Sequence, residues 1–138
     1  MRENKLPAKN LEIEITETAY MNNFNVANSF FESIKHYGCQ LALDDFGTGY
    51  SSMAYLQRLP LDQLKIDQSF VRGLPDDKGN IAIVRAILSM AEGLELEVIV
   101  EGVEHPAQQD ILRLHGCRHF QGYLFGKPMS VDAFLELL

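Results

Sequence analysis

The sequence predicts an α/β fold built on a parallel sheet, and three observations carry that expectation. Strand-like and helix-like stretches alternate at roughly 20 to 30 residues per unit, the spacing of repeated βαβ units. Leu96 to Val100 is an almost uninterrupted β-branched run, the pattern of a buried parallel strand. Polar residues recur at the carboxyl-terminal ends of successive strands, where a parallel sheet places its chemistry. No linker, low-complexity tract or internal repeat divides residues 1–138, so a single domain is expected.

The elements follow in order. Leu11 to Thr16 alternates Leu11, Ile13 and Ile15 with Glu12, Glu14 and Thr16, a strand with one apolar face. Asn22 to Tyr37 carries Phe24, Ala27, Phe30, Phe31 and Ile34 at helical spacing and stops at Gly38, a usual helix-ending residue. Gln40 to Asp44 reads as the second strand, Ser51 to Arg58 as a short helix closed by Leu59-Pro60, and Gln63 to Ile66 as the third strand. After a surface turn at Pro75 to Gly79, Asp77 to Glu92 reads as a helix with Ile81, Val84, Ile87 and Leu88 inward, ending at Gly93. Leu96 to Val100 is the fourth strand. Pro106 to Leu114 is a helix opened by proline in its first turn and finished before Gly116. Arg118 to Gln121 reads as a last short strand, and Ser130 to Leu138 as a final helix with Ser130 or Asp132 near its cap.

Composition narrows the function classes. A chain of 138 residues can bury a real core, roughly two thirds of its unfolded surface. The net charge of −7 and pI near 5.0 leave no bulk basic face for a nucleic-acid polymer or an anionic membrane. An anionic substrate would therefore need a local cation. Cys39 and Cys117 lie far apart without metal-ligand spacing, which reads as two reduced, half-buried small hydrophobes rather than a disulfide. No run of about 18 apolar residues occurs, and the start of the chain lacks an apolar signal core. A cytoplasmic location is expected, alone or as the cytoplasmic part of a membrane-tethered protein.

Leu41 to Ser52, reading Leu-Ala-Leu-Asp-Asp-Phe-Gly-Thr-Gly-Tyr-Ser-Ser, is the most informative stretch. Side chains alternate along a strand, so Asp44 and Asp45 share a face only if the strand ends there. Two adjacent carboxylates repel unless a cation sits between them or one is protonated, which points to a divalent metal. The competing reading is a solvated turn, since Asp and Gly are common turn residues.

Other strand ends add weight to the metal. Glu14 and Glu17 close the first strand, Asp44 and Asp45 the second, Lys65 and Asp67 the third, Glu101 and Glu104 the fourth, and Gln121 the fifth. Each has a plain structural explanation: Glu17 and Glu104 as solvated loop residues, Asp67 as a cap for Gln68-Ser69-Phe70, Lys65 as a snorkelling chain, Gln121 as a surface amide. Yet Lys65 sits between Leu64 and Ile66, and Glu101 directly follows Val98-Ile99-Val100. Charges so close to buried strand are costly unless paired or metal-bound. Carboxylates around one lysine suit metal-assisted phosphoryl chemistry, in which Mg²⁺ or Mn²⁺ clamps water and leaving oxygen and lysine orients water or balances phosphate charge. His36, His105, His115 and His119 read as structural or surface residues.

The segments Leu11-Glu12-Ile13-Glu14-Ile15-Thr16-Glu17, Leu43 to Ser52, Leu64-Lys65-Ile66-Asp67, Val100-Glu101-Gly102-Val103-Glu104 and Gln121 to Pro128 resemble, in order, the signature segments of the EAL-domain family. That resemblance implies a modified (β/α)8 TIM-like barrel that hydrolyses cyclic di-GMP to linear pGpG with Mg²⁺ or Mn²⁺. It implies metal ligation by Glu14, Asp44 and Asp45, and catalytic roles for Lys65 beside the attacking water and for Glu101. It implies substrate binding by Gln121 and Asp67, with Glu17 and Glu104 in support. Phe46, Gly47, Thr48 and Gly49 would begin a loop that couples metal site, substrate and dimer interface.

The chain also departs from the family. The Glu-Ala-Leu tripeptide is absent, and its glutamate and the asparagine of the next strand, metal ligands in the family, have no counterpart. A complete barrel needs roughly 250 residues, so about five βα units, the fourth to eighth strands, are expected. The piece alone is expected to be inactive, and to form a homo-oligomer that closes the open barrel edges. Two other readings compete with a phosphodiesterase. One is a degenerate module that binds cyclic di-GMP or a protein without catalysis. The other is a Schiff-base enzyme using Lys65, which nearby anions disfavour by raising its pKa.

Overall fold

The computed structural model describes residues 6–22, 24–49 and 56–137. Five strands, β1 (Glu12–Thr16), β2 (Gln40–Phe46), β3 (Gln63–Ile66), β4 (Glu97–Val100) and β5 (His119–Phe120), form one sheet in sequence order. Every neighbouring pair is parallel. Parallel neighbours require crossover connections. Helices α1 (Glu17–Asn22) and α2 (Phe24–His36) join β1 to β2, α3 (Lys78–Gly93) joins β3 to β4, α4 (Pro106–Leu114) joins β4 to β5, and α5 (Val131–Leu135) follows β5. The fold is α/β, an arc of a TIM-like barrel in which β1 and β5 each pair on one side only among the described residues.

Strand alternation divides this arc into an apolar face under the helices and a polar concave face. Leu43, Leu64, Ile66 and Val100, each at most 1% exposed, pack with Val84 and Ile87 of α3 and Leu112 of α4. Phe31 of α2 and Leu41 form a second cluster with Ile13 and Ile15 beside it. Each fully buried aliphatic side chain contributes about 1.5–3 kcal/mol relative to exposure. Cys39 and Cys117 are free thiols and fully buried rather than half-buried. The helix of 16 residues, α3, starts where Asp77 accepts from Gly79 N–H (2.8 Å) and Asn80 N–H (3.1 Å). Ala91 joins Val84 and Ile87 in its buried face, and Ile81 and Leu88 pack at the margin.

Several expectations need correction. Phe30 is 57% exposed while Phe31 is fully buried, because consecutive helical residues project about 100° apart. Glu17 opens a helix, α1, rather than closing the first strand ahead of a loop. The second strand continues to Phe46, past both aspartates. Ser130 provides the cap of α5, accepting from Ala133 N–H at 3.3 Å. Tyr50, Ser51 and Ser52, and the start of the helix expected from Ser51, lie outside the described residues, as do the side chains of Phe24 and Ala27. No described helix is long and apolar enough to cross a membrane.

Candidate metal centre

Lys65 organises the concave face. It lies on β3, the strand whose burial is complete along its length, and is 4% exposed. Its ammonium donates to Glu14 of β1 at 2.8 Å and stands 2.8 Å from Glu101 Oε1 just beyond β4, with Asp44 of β2 at 3.4 Å. Two strands and one loop thus converge on a cation that a third strand carries. Burial alone would lower the lysine pKa, but the hydrogen bonds the ammonium donates to Glu101 and Glu14 and the charges of Glu101 and Asp44 outweigh it and push it well above the usual value. An ammonium held this firmly protonated is a poor amine nucleophile.

A bulge brings the two aspartates together. Leu43 pairs with Leu64 and Phe46 with Ile66, so β2 spends three residue steps where β3 spends two. The extra residue breaks the alternation, and Asp45 takes φ +55°. Asp44 and Asp45 therefore reach one site without the strand having ended, which replaces the terminus expected from the sequence. Oxygens of Asp44, Asp45 and Glu101 all lie within 4.8 Å of one another. Burial, then the charges of Asp44 and Asp67, hold the Asp45 carboxyl above its usual range, with Lys65 offsetting only in part. Three hard oxygen donors, one of them electrostatically strained, fit a divalent cation such as Mg²⁺, Mn²⁺ or Ca²⁺. Glu14 stands outside this set of three, engaged with Lys65, whereas Glu101 stands inside it.

The loop after β2 is tied to Glu17. This carboxylate, 2% exposed, accepts from Gly47 N–H (3.1 Å) and Gly49 N–H (3.2 Å). A Cβ at Gly49 would come within 2.8 Å of Glu17 Oε1, so glycine is what lets the loop close on the carboxylate. Gly47 takes φ +97°, a conformation suited to glycine. Thr48 Oγ1 donates to the Asp45 carbonyl at 2.8 Å, which connects the loop back to the bulge. Glu17 is therefore a buried anchor rather than a solvated loop residue, and Phe46 belongs to β2 rather than the loop.

The remaining residues sit at the same end of the sheet. Asp67 follows β3 and caps the 3-10 turn Gln68–Phe70 by accepting from Ser69 N–H at 2.9 Å, and its charge also acts on Asp45. Gln121 follows β5 with an exposed side chain, its N–H bonded to the Val100 carbonyl at 2.9 Å. Glu104 is exposed, and its backbone N–H donates to Gln108 Oε1 at 2.8 Å. Gln108 itself went unread in the sequence. A glutamine three residues after a helix cap was the available signal.

The family model described as EAL domain matches residues 1–128. The chain is 47% identical over 128 residues to the cyclic di-GMP phosphodiesterase NbdA of Pseudomonas aeruginosa, covering 93% of this chain and 16% of NbdA. The crystal structure of the EAL domain of Mycobacterium smegmatis DcpA superposes with TM-score 0.92 at 38% identity, covering 100% of this chain and 62% of that one. The manganese and cyclic di-GMP complex of Klebsiella pneumoniae BlrP1 superposes with TM-score 0.87 at 34% identity, covering 92% of this chain and 32% of that one. The chain therefore spans less than two thirds of each of these relatives.

Proposed function

This chain belongs to the EAL domain family, and from that premise we propose that its concave face is part of the active site of a metal-dependent phosphodiesterase that hydrolyses cyclic di-GMP to linear pGpG. The observation that carries the proposal is the convergence of Asp44, Asp45 and Glu101 within 4.8 Å beside the buried Lys65. A relative solved with manganese and cyclic di-GMP supports it. Asp44, Asp45 and Glu101 would hold Mg²⁺ or Mn²⁺, with Glu14 close by. The metal, when bound, would lower the pKa of water and neutralise charge on phosphate. Lys65, fixed between Glu14 and Glu101, would orient the water and balance the phosphate charge. Glu17 would hold the loop from Gly47 to Gly49 over the bulge. Gln121 and Asp67, at the ends of β5 and β3, would face the nucleotide, and Glu104 would support the loop beside it.

A homo-oligomer joined through β1 and β5, which each pair on one side only among the described residues, would be revealed by light scattering. The deciding experiment is hydrolysis of cyclic di-GMP by the whole protein carrying this chain, with Mg²⁺ or Mn²⁺, against Asp44→Asn. Loss of hydrolysis in the variant supports the assignment. Equal hydrolysis by both removes Asp44 from the site, and binding without hydrolysis by either identifies a non-catalytic module.

A further inference from the structure

The segment Glu101 to His105 leaves β4 and is fastened at two points. Val103, fully buried, donates its N–H to the Gln121 carbonyl and accepts from the Leu124 N–H, both at 3.0 Å, which joins it to the loop after β5. The second fastening is the side chain of Gln108, 4% exposed, in the first turn of α4. Its Oε1 accepts from Glu104 N–H (2.8 Å) and His105 N–H (3.0 Å), and its Nε2 donates to the Val71 carbonyl at 3.1 Å. Val71 directly follows the turn that Asp67 caps. One buried amide therefore bridges the loops after β3 and β4. The loops touch closely: a Cβ on Gly102 would stand 2.4 Å from Cβ of Gln68.

The two bonds to Oε1 are what a helix start asks of its third residue, and glutamate would supply them as well as glutamine. The bond to Val71, 37 residues away in sequence, needs a donor that glutamate lacks. We infer that Gln108 is a positioning residue for Glu101, holding the Glu101–Glu104 segment against the loop after β3 so that the Glu101 carboxylate stays beside Lys65, Asp44 and Asp45. This rests on the metal-site reading above. Partners that orient metal ligands from outside typically govern affinity by 10–100-fold.

Gln108→Glu in the whole protein carrying this chain separates the tie from the cap. Amide hydrogen exchange at Gly102 and Val103 is expected to quicken by about tenfold or more, and Mn²⁺ affinity, measured by calorimetry with the metal alone, to fall by about tenfold. The neighbouring Gln109→Glu, with the same charge change, should alter neither. Exchange in Gln108→Glu equal to that of the unchanged protein overturns the inference. Should that variant not fold, Gln108→Met, which keeps the volume, takes its place, and unchanged exchange at Gly102 and Val103 overturns the inference equally. Failure of the unchanged protein to bind Mn²⁺ counts against the metal site alone, and hydrogen exchange still decides the tie.

Discussion

Lys65 Nζ lies 2.8 Å from Glu101 Oε1, across the junction of two strands that are neighbours in the sheet. The same ammonium holds Glu14 at 2.8 Å, so removing it leaves carboxylates facing one another. Losing one partner of a buried ion pair costs about 3–5 kcal/mol, and the half-exposed Glu14 (46%) reduces that here to about 2 kcal/mol. Lys65→Met should lower stability by that amount in urea unfolding. A change under about 0.5 kcal/mol, the size of an ordinary surface substitution, would show that the carboxylates do not depend on it.

Divalent metal should stabilise the fold. Mn²⁺ at a hundred times its Kd adds about 2.7 kcal/mol, seen as a rise in Tm that EDTA reverses. Asp45→Asn should remove most of the rise. An equal rise in that variant would place the metal elsewhere.

Gly49→Ala tests the loop anchor. Its backbone is not left-handed, so the added methyl acts through crowding of Glu17. Limited proteolysis within residues 46–49 should accelerate, and cyclic di-GMP hydrolysis by the whole protein should fall by about tenfold or more, as expected for displaced site groups. Unchanged cleavage and activity would mean the Glu17 contact is dispensable.

Cys117 sets an alkaline limit. Burial pushes its thiol up to about 11, and backbone hydrogen bonds at His119 and Arg118 offset this only in part. The folded pKa exceeds the unfolded value of about 8.5, so this contribution is complete below about pH 8.5 and is lost as pH rises toward the folded pKa. The stability difference between the native chain and Cys117→Ala should shrink across that window, and iodoacetamide should label Cys117 slowly at pH 8. Rapid labelling of the folded chain would contradict the burial.

Much of the site was legible because polar residues beside apolar strands are costly and therefore informative. Lys65 between Leu64 and Ile66 was read as needing partners, and it has them in Glu14, Asp44 and Glu101. Glu17 was misread because a carboxylate after a strand looks the same whether it meets water or two backbone N–H groups from 30 and 32 residues away. Gln108 was missed for the same reason: its partner Val71 belongs to another unit of the fold.

The sequence by itself determined the α/β class, the succession of strands and helices along the chain and the candidate acidic residues, because these depend on local periodicity and on the cost of burying charge. Only the tertiary structure decided how the aspartates meet. Alternation forbids Asp44 and Asp45 from sharing a face of a regular strand, and nothing in the dipeptide distinguishes a strand end from a bulge. The register against β3 does: its one-residue slip between Leu43 and Phe46 turns both carboxylates toward Glu101.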